Sequence, residues 1–180
     1  MSAIVSDADN SVTKRDFIYV ATGAMVVVGV GAFAWPFIDS MNPSASIRSL
    51  ATVEIPLGGI EVGQRVTVMW RGRPVFVDRR TEAQIDAAVA DDDADLIDPQ
   101  SDADRVQNPE WLIVVGVCTH LGCIPLGQKD SDPRGNWGGW YCPCHGSQYD
   151  TSGRVRRGPA PKNLVVPPYE LMDGEKVIIG

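Results

Sequence analysis

The sequence predicts a mainly β domain of short antiparallel strands, tethered by one N-terminal transmembrane α-helix. Three observations lead there. Phe17 to Ile38, FIYVATGAMVVVGVGAFAWPFI, is 22 residues without a charge. Beyond residue 50, short runs rich in Val, Ile and Trp alternate with Gly, Pro and Asn turn signals, the punctuation of an all-β core. All four Cys and both His of the 180 residues fall in two stretches, CTHLGC at 118–123 and YCPCHGSQYD at 141–150.

Residues 1–16 read as a cytoplasmic tail. Thr13-Lys14-Arg15-Asp16-Phe17-Ile18 is similar to a twin-arginine export signal, with Lys in place of the first Arg. That route carries folded proteins, which suits a chain that receives a cofactor before export. Residues 17–38 are the anchor, since 22 residues in a helix reach about 33 Å, enough for a hydrocarbon core of about 30 Å. Lys14 and Arg15 precede it and Asp39 ends it, so the positive-inside rule leaves the N-terminus in the cytoplasm and the rest outside. No clear A-x-A site follows, which makes the segment an uncleaved signal-anchor rather than a signal peptide. Gly23, Gly29 and Gly31 with Ala21, Ala24 and Ala32 suit packing against other transmembrane helices, as in a membrane complex.

Residues 39–49, DSMNPSASIRS, form a linker that fits either a passive tether or a flexible hinge. Residues 50–180 are the outer domain. Its expected strands are Val53–Leu57, Arg65–Trp70, Pro74–Val77, Trp111–Val117, Asn163–Val166 and Lys176–Ile179. A helix–loop insertion at about 81–109 interrupts them, opening with a helix over Thr81–Val89 that Thr81 caps. Asp86 to Asp104 then carries eight Asp and no basic residue, and reads as a solvated surface segment. The net charge of −7 excludes a nucleic-acid binder, which needs clustered Lys and Arg.

The two Cys/His stretches carry the chemistry. Each offers one thiolate and one imidazole at close spacing, Cys118 with His120 and Cys142 with His145. Two metals accept such a set. Zinc takes Cys2His2 in tetrahedral geometry, although its usual spacing groups the Cys at one end and the His at the other. A [2Fe–2S] centre with two His replacing two Cys on one iron takes C-x-H…C-x-x-H. That second reading leaves Cys123 and Cys144, one per loop, which an oxidising compartment would allow to pair.

CTHLGC and CPCHGSQYD, followed by Gly158-Pro159-Ala160-Pro161, closely resemble the Rieske iron–sulfur subunit of bacterial ubiquinol–cytochrome c reductase, the cytochrome bc1 complex. The likeness runs the length of the chain: tail, export-type anchor, linker, β domain, two cluster loops, proline-rich loop. It implies a Rieske-type antiparallel β domain with a cluster-binding subdomain, outside the bacterial inner membrane in the periplasm. It also implies roles. Cys118 and Cys142 would bind the inner iron, and His120 and His145 the outer iron. Cys123 and Cys144 would be a disulfide. The hydroxyls of Ser147 and Tyr149 would bond to cluster and cysteine sulfur and raise the reduction potential. Leu121 would shield the outer face, and Pro159 and Pro161 would stiffen the third loop.

Exposed imidazoles suit a hydroquinone donor, because oxidised iron lowers their pKa and so links electron uptake to proton uptake. The expected function is ubiquinol oxidation through one [2Fe–2S] cluster and electron delivery to cytochrome c1, with proton release in the periplasm. His145 and His120 are the candidate catalytic groups, and cytochrome b and cytochrome c1 are the candidate partners in a dimeric complex. The alternatives are the Rieske small subunit of another periplasmic oxidase, such as an arsenite-oxidising enzyme, and a structural zinc module. A ring-hydroxylating dioxygenase does not fit, since that class is soluble and lacks the Cys123/Cys144 pair.

Overall fold

Thr13 opens the first helix through a reciprocal cap: its hydroxyl accepts the Asp16 N–H, and its own N–H bonds to the Asp16 carboxylate at 2.9 Å. This extends helix α1 over Lys14–Asp39, 26 residues, past both ends of the uncharged run. None of its side chains is buried, and an apolar surface on every side fits surrounding lipid. The computed structural model describes residues 13–43, 51–172 and 174–180. Among them α1 is the one helix long and apolar enough to span a membrane. The expected tail lies outside the described residues up to 12, and the expected linker from 44 onward.

The chain divides into two compact units, Met1–Ala45 and Ser46–Gly180. Among the described residues the second is built on nine strands: β1 (Val53–Pro56), β2 (Arg65–Trp70), β3 (Arg73–Arg79), β4 (Trp111–Val115), β5 (Gly138–Tyr141), β6 (Gln148–Asp150), β7 (Val155–Arg157), β8 (Tyr169–Met172) and β9 (Lys176–Ile179). They form three antiparallel sheets, ordered β1-β9-β8, β2-β3-β4 and β5-β6-β7.

The period-2 alternation of β3 and β4 explains the layering. Val75, Val77, Ile113 and Val115 join a core with Ile55, Val177 and Ile179 of the first sheet. Their alternate neighbours Phe76, Leu112 and Val114 join a second core with Trp140 and Tyr149 of the third sheet. The middle sheet is therefore buried on both faces, which is why WLIVV reads as a continuous apolar run. Phe76 stacks on Trp140 with centroids 5.9 Å apart. Gly116 follows β4, and a Cβ there would collide with the Phe76 ring, so the chain can turn away only through glycine.

Helix α2 (Glu82–Ala90) starts where expected, with Thr81 and Gln84 forming a second reciprocal cap. Two expectations need correction. Asn163–Val166 forms no strand: the Asn163 side chain is committed to Val155 and Asp98, and only single backbone bonds, Leu164 to Gly153 and Val165 to Val115, reach neighbours. The acidic run is solvated only in part: Asp86, Asp93, Asp95 and Asp104 are exposed, and the other four Asp are paired. Asp91 pairs with Arg156, Asp92 with Arg154, Asp98 with Lys162 and Asp102 with Arg80. These four acids fold back onto basic residues, of which Arg80 and Arg154 are buried.

Candidate metal centre

Strand β4 delivers Cys118, and β5 delivers Cys142. Each cysteine opens a loop of the same design, C-T-H-L-G-C and C-P-C-H-G-S. In the first, the Gly122 N–H bonds to Cys118 O at 2.9 Å and the Cys118 N–H to Cys123 O at 2.7 Å. In the second, the Gly146 N–H bonds to Cys142 O at 2.9 Å and the Cys142 N–H to Ser147 O at 2.8 Å. Gly122 and Gly146 take φ +83° and +79°, a left-handed setting that favours glycine at the same point of both loops. Below the loops, Leu126 and Tyr141 exchange backbone bonds of 2.7 and 2.9 Å and hold the two legs together.

Cys123 and Cys144 form a disulfide across the loops. Cys118 and Cys142 are free and 2% exposed. The Cys142 sulfur lies within 4.8 Å of both disulfide sulfurs, so the clasp leans directly on it. His120 and His145 meet edge to face, with ring centroids 4.6 Å apart. The structure thus brings together eight of the nine expected residues; the ninth, Leu121, stands beside His120 at 71% exposure.

The surroundings suit thiolate ligands. The buried Tyr149 hydroxyl donates to the Cys118 sulfur at 3.2 Å. Burial pushes the Cys118 thiol up, but the Tyr149 hydroxyl and the His120 N–H outweigh it and leave Cys118 below the usual thiol range. Burial pushes the Cys142 thiol up, as does the neighbouring Cys118. Burial likewise raises Tyr149, which keeps it a donor at neutral pH. Ser147 is buried, and its hydroxyl oxygen accepts the Ala160 N–H at 3.2 Å, which leaves its proton free to point elsewhere. Gly158 (φ +101°) lies so close to Ser147 that a Cβ would fall 2.5 Å from the Ser147 Cα.

One orphaned atom tests whether these residues fit a metal group. His120 Nδ1 is buried without a hydrogen-bond partner, an arrangement that is costly unless a ligand completes it. With two free buried thiols and a second imidazole beside it, the donor set is two soft sulfurs inside and two nitrogens outside, the set that a mixed-ligand diiron cluster requires. The disulfide sulfurs are spent on each other. The reading from sequence missed the buttress around this set. Arg65 on β2 donates to Gly127 O at 2.9 Å and Gly139 O at 2.7 Å, one carbonyl on each leg, while Nε holds Asp78 at 2.8 Å. An Arg on an otherwise apolar strand was the available signal.

Comparison with known proteins agrees. Residues 5–44 match the family described as "Ubiquitinol-cytochrome C reductase Fe-S subunit TAT signal", and residues 59–170 match the Rieske [2Fe-2S] domain. The ubiquinol-cytochrome c reductase iron-sulfur subunit of Rhodospirillum rubrum is 56% identical over 168 residues, covering 93% of this chain and 92% of that one. Its counterpart in Rickettsia prowazekii is 47% identical over 182 residues, covering 100% of both. Among solved structures, a chain of a hyperthermophilic respiratory Complex III matches with a TM-score of 0.51 and 28% identity, covering 89% of this chain and 98% of its own. On its two cysteine–histidine loops and its full-length likeness to these relatives, the chain belongs to the Rieske iron–sulfur subunits of ubiquinol–cytochrome c reductase.

Proposed function

We propose that this chain is the electron-transfer subunit of a cytochrome bc1 complex, oxidising ubiquinol and passing the electron to cytochrome c1 with proton release to the periplasm. Cys118 and Cys142 would hold the inner iron of a [2Fe–2S] cluster, and His120 and His145 the outer iron. When bound, that group supplies a one-electron store beside two imidazoles. The observation that carries the reading is the pair of facing imidazoles on the outside of two buried free thiols.

The residues divide the work. His145 is exposed, so its ring can hydrogen-bond to a quinol hydroxyl and accept its proton. Exposed Leu121 offers an apolar rim for the quinone ring and for the surface of cytochrome b. Tyr149 and Ser147 hold donors toward the sulfurs and favour the more negative, reduced state. The disulfide ties both loops so that the two imidazoles keep their mutual setting. Residues 17–38 anchor the chain in the bacterial inner membrane of a dimeric complex, and residues 39–49 act as the hinge on which the outer domain moves between cytochrome b and cytochrome c1. An electron accepted at one station and delivered at another requires such movement or a fixed short path; the linker composition favours movement.

Electron paramagnetic resonance of the reduced, purified complex tests the reading. The expected spectrum is that of a [2Fe–2S] centre with mixed His/Cys ligation. A colourless, silent protein, or a spectrum of all-Cys ligation, refutes it.

A further inference from the structure

Among its contacts with the outer domain, the acidic insertion holds the loop beside the metal centre at Asp98. Its carboxylate accepts the Lys162 Nζ and the Asn163 backbone N–H, each at 3.0 Å, and its carbonyl accepts Asn163 Nδ2 at 2.9 Å. Asn163 is itself buried and fixed from the other side, where Oδ1 accepts the Val155 N–H at 2.9 Å. Lys162 O accepts the Thr119 hydroxyl at 2.6 Å, and Thr119 stands between Cys118 and His120.

The Lys162 carbonyl and the Asn163 N–H belong to one peptide unit. That unit is planar and stiff, so its two ends cannot turn independently. One end is held by the Asp98 carboxylate and the other by the Thr119 hydroxyl. A carboxylate on the N–H also polarises the peptide and strengthens the carbonyl as an acceptor. The same loop touches the second cluster loop, where Ala160 donates to Ser147. Leu96 is buried and Asp102 is locked to Arg80, so Asp98 projects from a segment fixed on both sides. The Lys162 side chain is 70% exposed, and a pair so solvated contributes little; the Asn163 bond carries the link.

We propose that Asp98 is a positioning residue for the metal centre, holding the Gly158–Asn163 loop against Thr119 and Ser147 and thereby setting the His120 ring. The proposal rests on the ligand assignment given above.

The test uses the purified complex carrying the wild-type chain, Asp98→Ala, Asp98→Asn or Asp95→Asn, read by the resonance spectrum of the reduced cluster, its potential and quinol turnover. Asp95 is exposed and makes no hydrogen bond or ion pair among the described residues, so Asp95→Asn controls for charge alone. Asp98→Ala is expected to shift the spectrum and potential and slow turnover about tenfold, since a misplacement of 1 Å can cost about 10²-fold. Asp98→Asn shifts all three in the same direction to a lesser extent, and Asp95→Asn matches wild type. Unaltered spectra and turnover in Asp98→Ala overturn the proposal, as does an equal change in Asp95→Asn. If Asp98→Ala assembles no cluster, Asp98→Asn decides: its uncharged oxygen polarises the peptide less, and an unshifted spectrum overturns the proposal. Wild-type protein without the mixed-ligand signal overturns the proposed function instead.

Discussion

Tyr149→Phe isolates one hydrogen bond at the metal centre. The ring is fully buried between β5 and β7 on β6, and Phe fills the same space, so packing is retained. What disappears is the O–H donor 3.2 Å from the Cys118 sulfur. A hydrogen bond to a charged acceptor contributes about 1.5–3 kcal/mol, and only the part that differs between the oxidised and reduced states moves the potential. Taking that part as about half gives about 0.7–1.5 kcal/mol. For a one-electron couple, tenfold in the equilibrium constant, about 1.4 kcal/mol, corresponds to about 59 mV. The variant's potential should therefore fall by about 30–65 mV, with the cluster still fully incorporated. Redox titration of the purified complex followed by paramagnetic resonance measures both quantities. A potential within about 10 mV of wild type, or one that rises, refutes the claim that this hydroxyl favours the reduced state.

Three further outcomes follow from other parts of the molecule. Cys123→Ser opens a 21-residue closure across the two loops, and should cost about 3 kcal/mol of stability, seen as cluster loss at lower temperature, with a smaller effect on potential while the cluster lasts. Burial pushes the Asp102 carboxyl up, but Arg80 and Ser152 hold it below the ordinary range, so its contribution is present above the unfolded pKa of about 3.9 and is lost as pH falls through the lower folded value; Asp102→Asn should flatten the acid limb of a stability–pH curve, and an unchanged limb refutes the account. A run of Pro within residues 39–49 should slow quinol turnover without changing the potential, and unaltered turnover excludes the hinge.

The long apolar helix and the paired Cys/His loops were legible in the sequence because each depends on local chemistry. An uncharged run of 22 residues and a crowding of Cys and His need no knowledge of tertiary structure. Thr81 was legible as a cap for the same reason, since its partner Gln84 is three residues away. Strands β5, β6 and β7 were not. GGWY, QYD and VRR are 3 or 4 residues long, carry Gly and charges, and pair with register shifts, so no alternation is visible. Four of the eight Asp of the insertion look solvated only because their partners lie far along the chain: Asp92 and Arg154 are 62 residues apart, and Asp91 and Arg156 are 65 apart. Nothing local in either segment announces the pairing.

Those pairings bear on why the cluster-bearing layer stays in place. Its apolar core is modest, and apolar contact is non-directional, so it secures burial but not register. Arg65, Arg80, Arg105 and Arg154 are all buried, and each reaches across to a carbonyl or carboxylate on another segment. Burial pushes Arg105 down to about 10, still charged at neutral pH, and its guanidinium spans Ser152 O and Leu164 O at 2.7 Å each. Buried pairs of this kind are weak contributors to net stability, because desolvation offsets much of their attraction, and well-packed apolar residues could replace them at little cost in folding. What apolar residues cannot do is fix direction. A guanidinium fork accepts only one arrangement of the carbonyls around it. Arg65 on the middle sheet therefore sets where Gly127 and Gly139 stand, and with them both legs of the metal centre. Under the proposed function, in which the two imidazoles meet a quinol from outside, that fixed direction matters more than further stability.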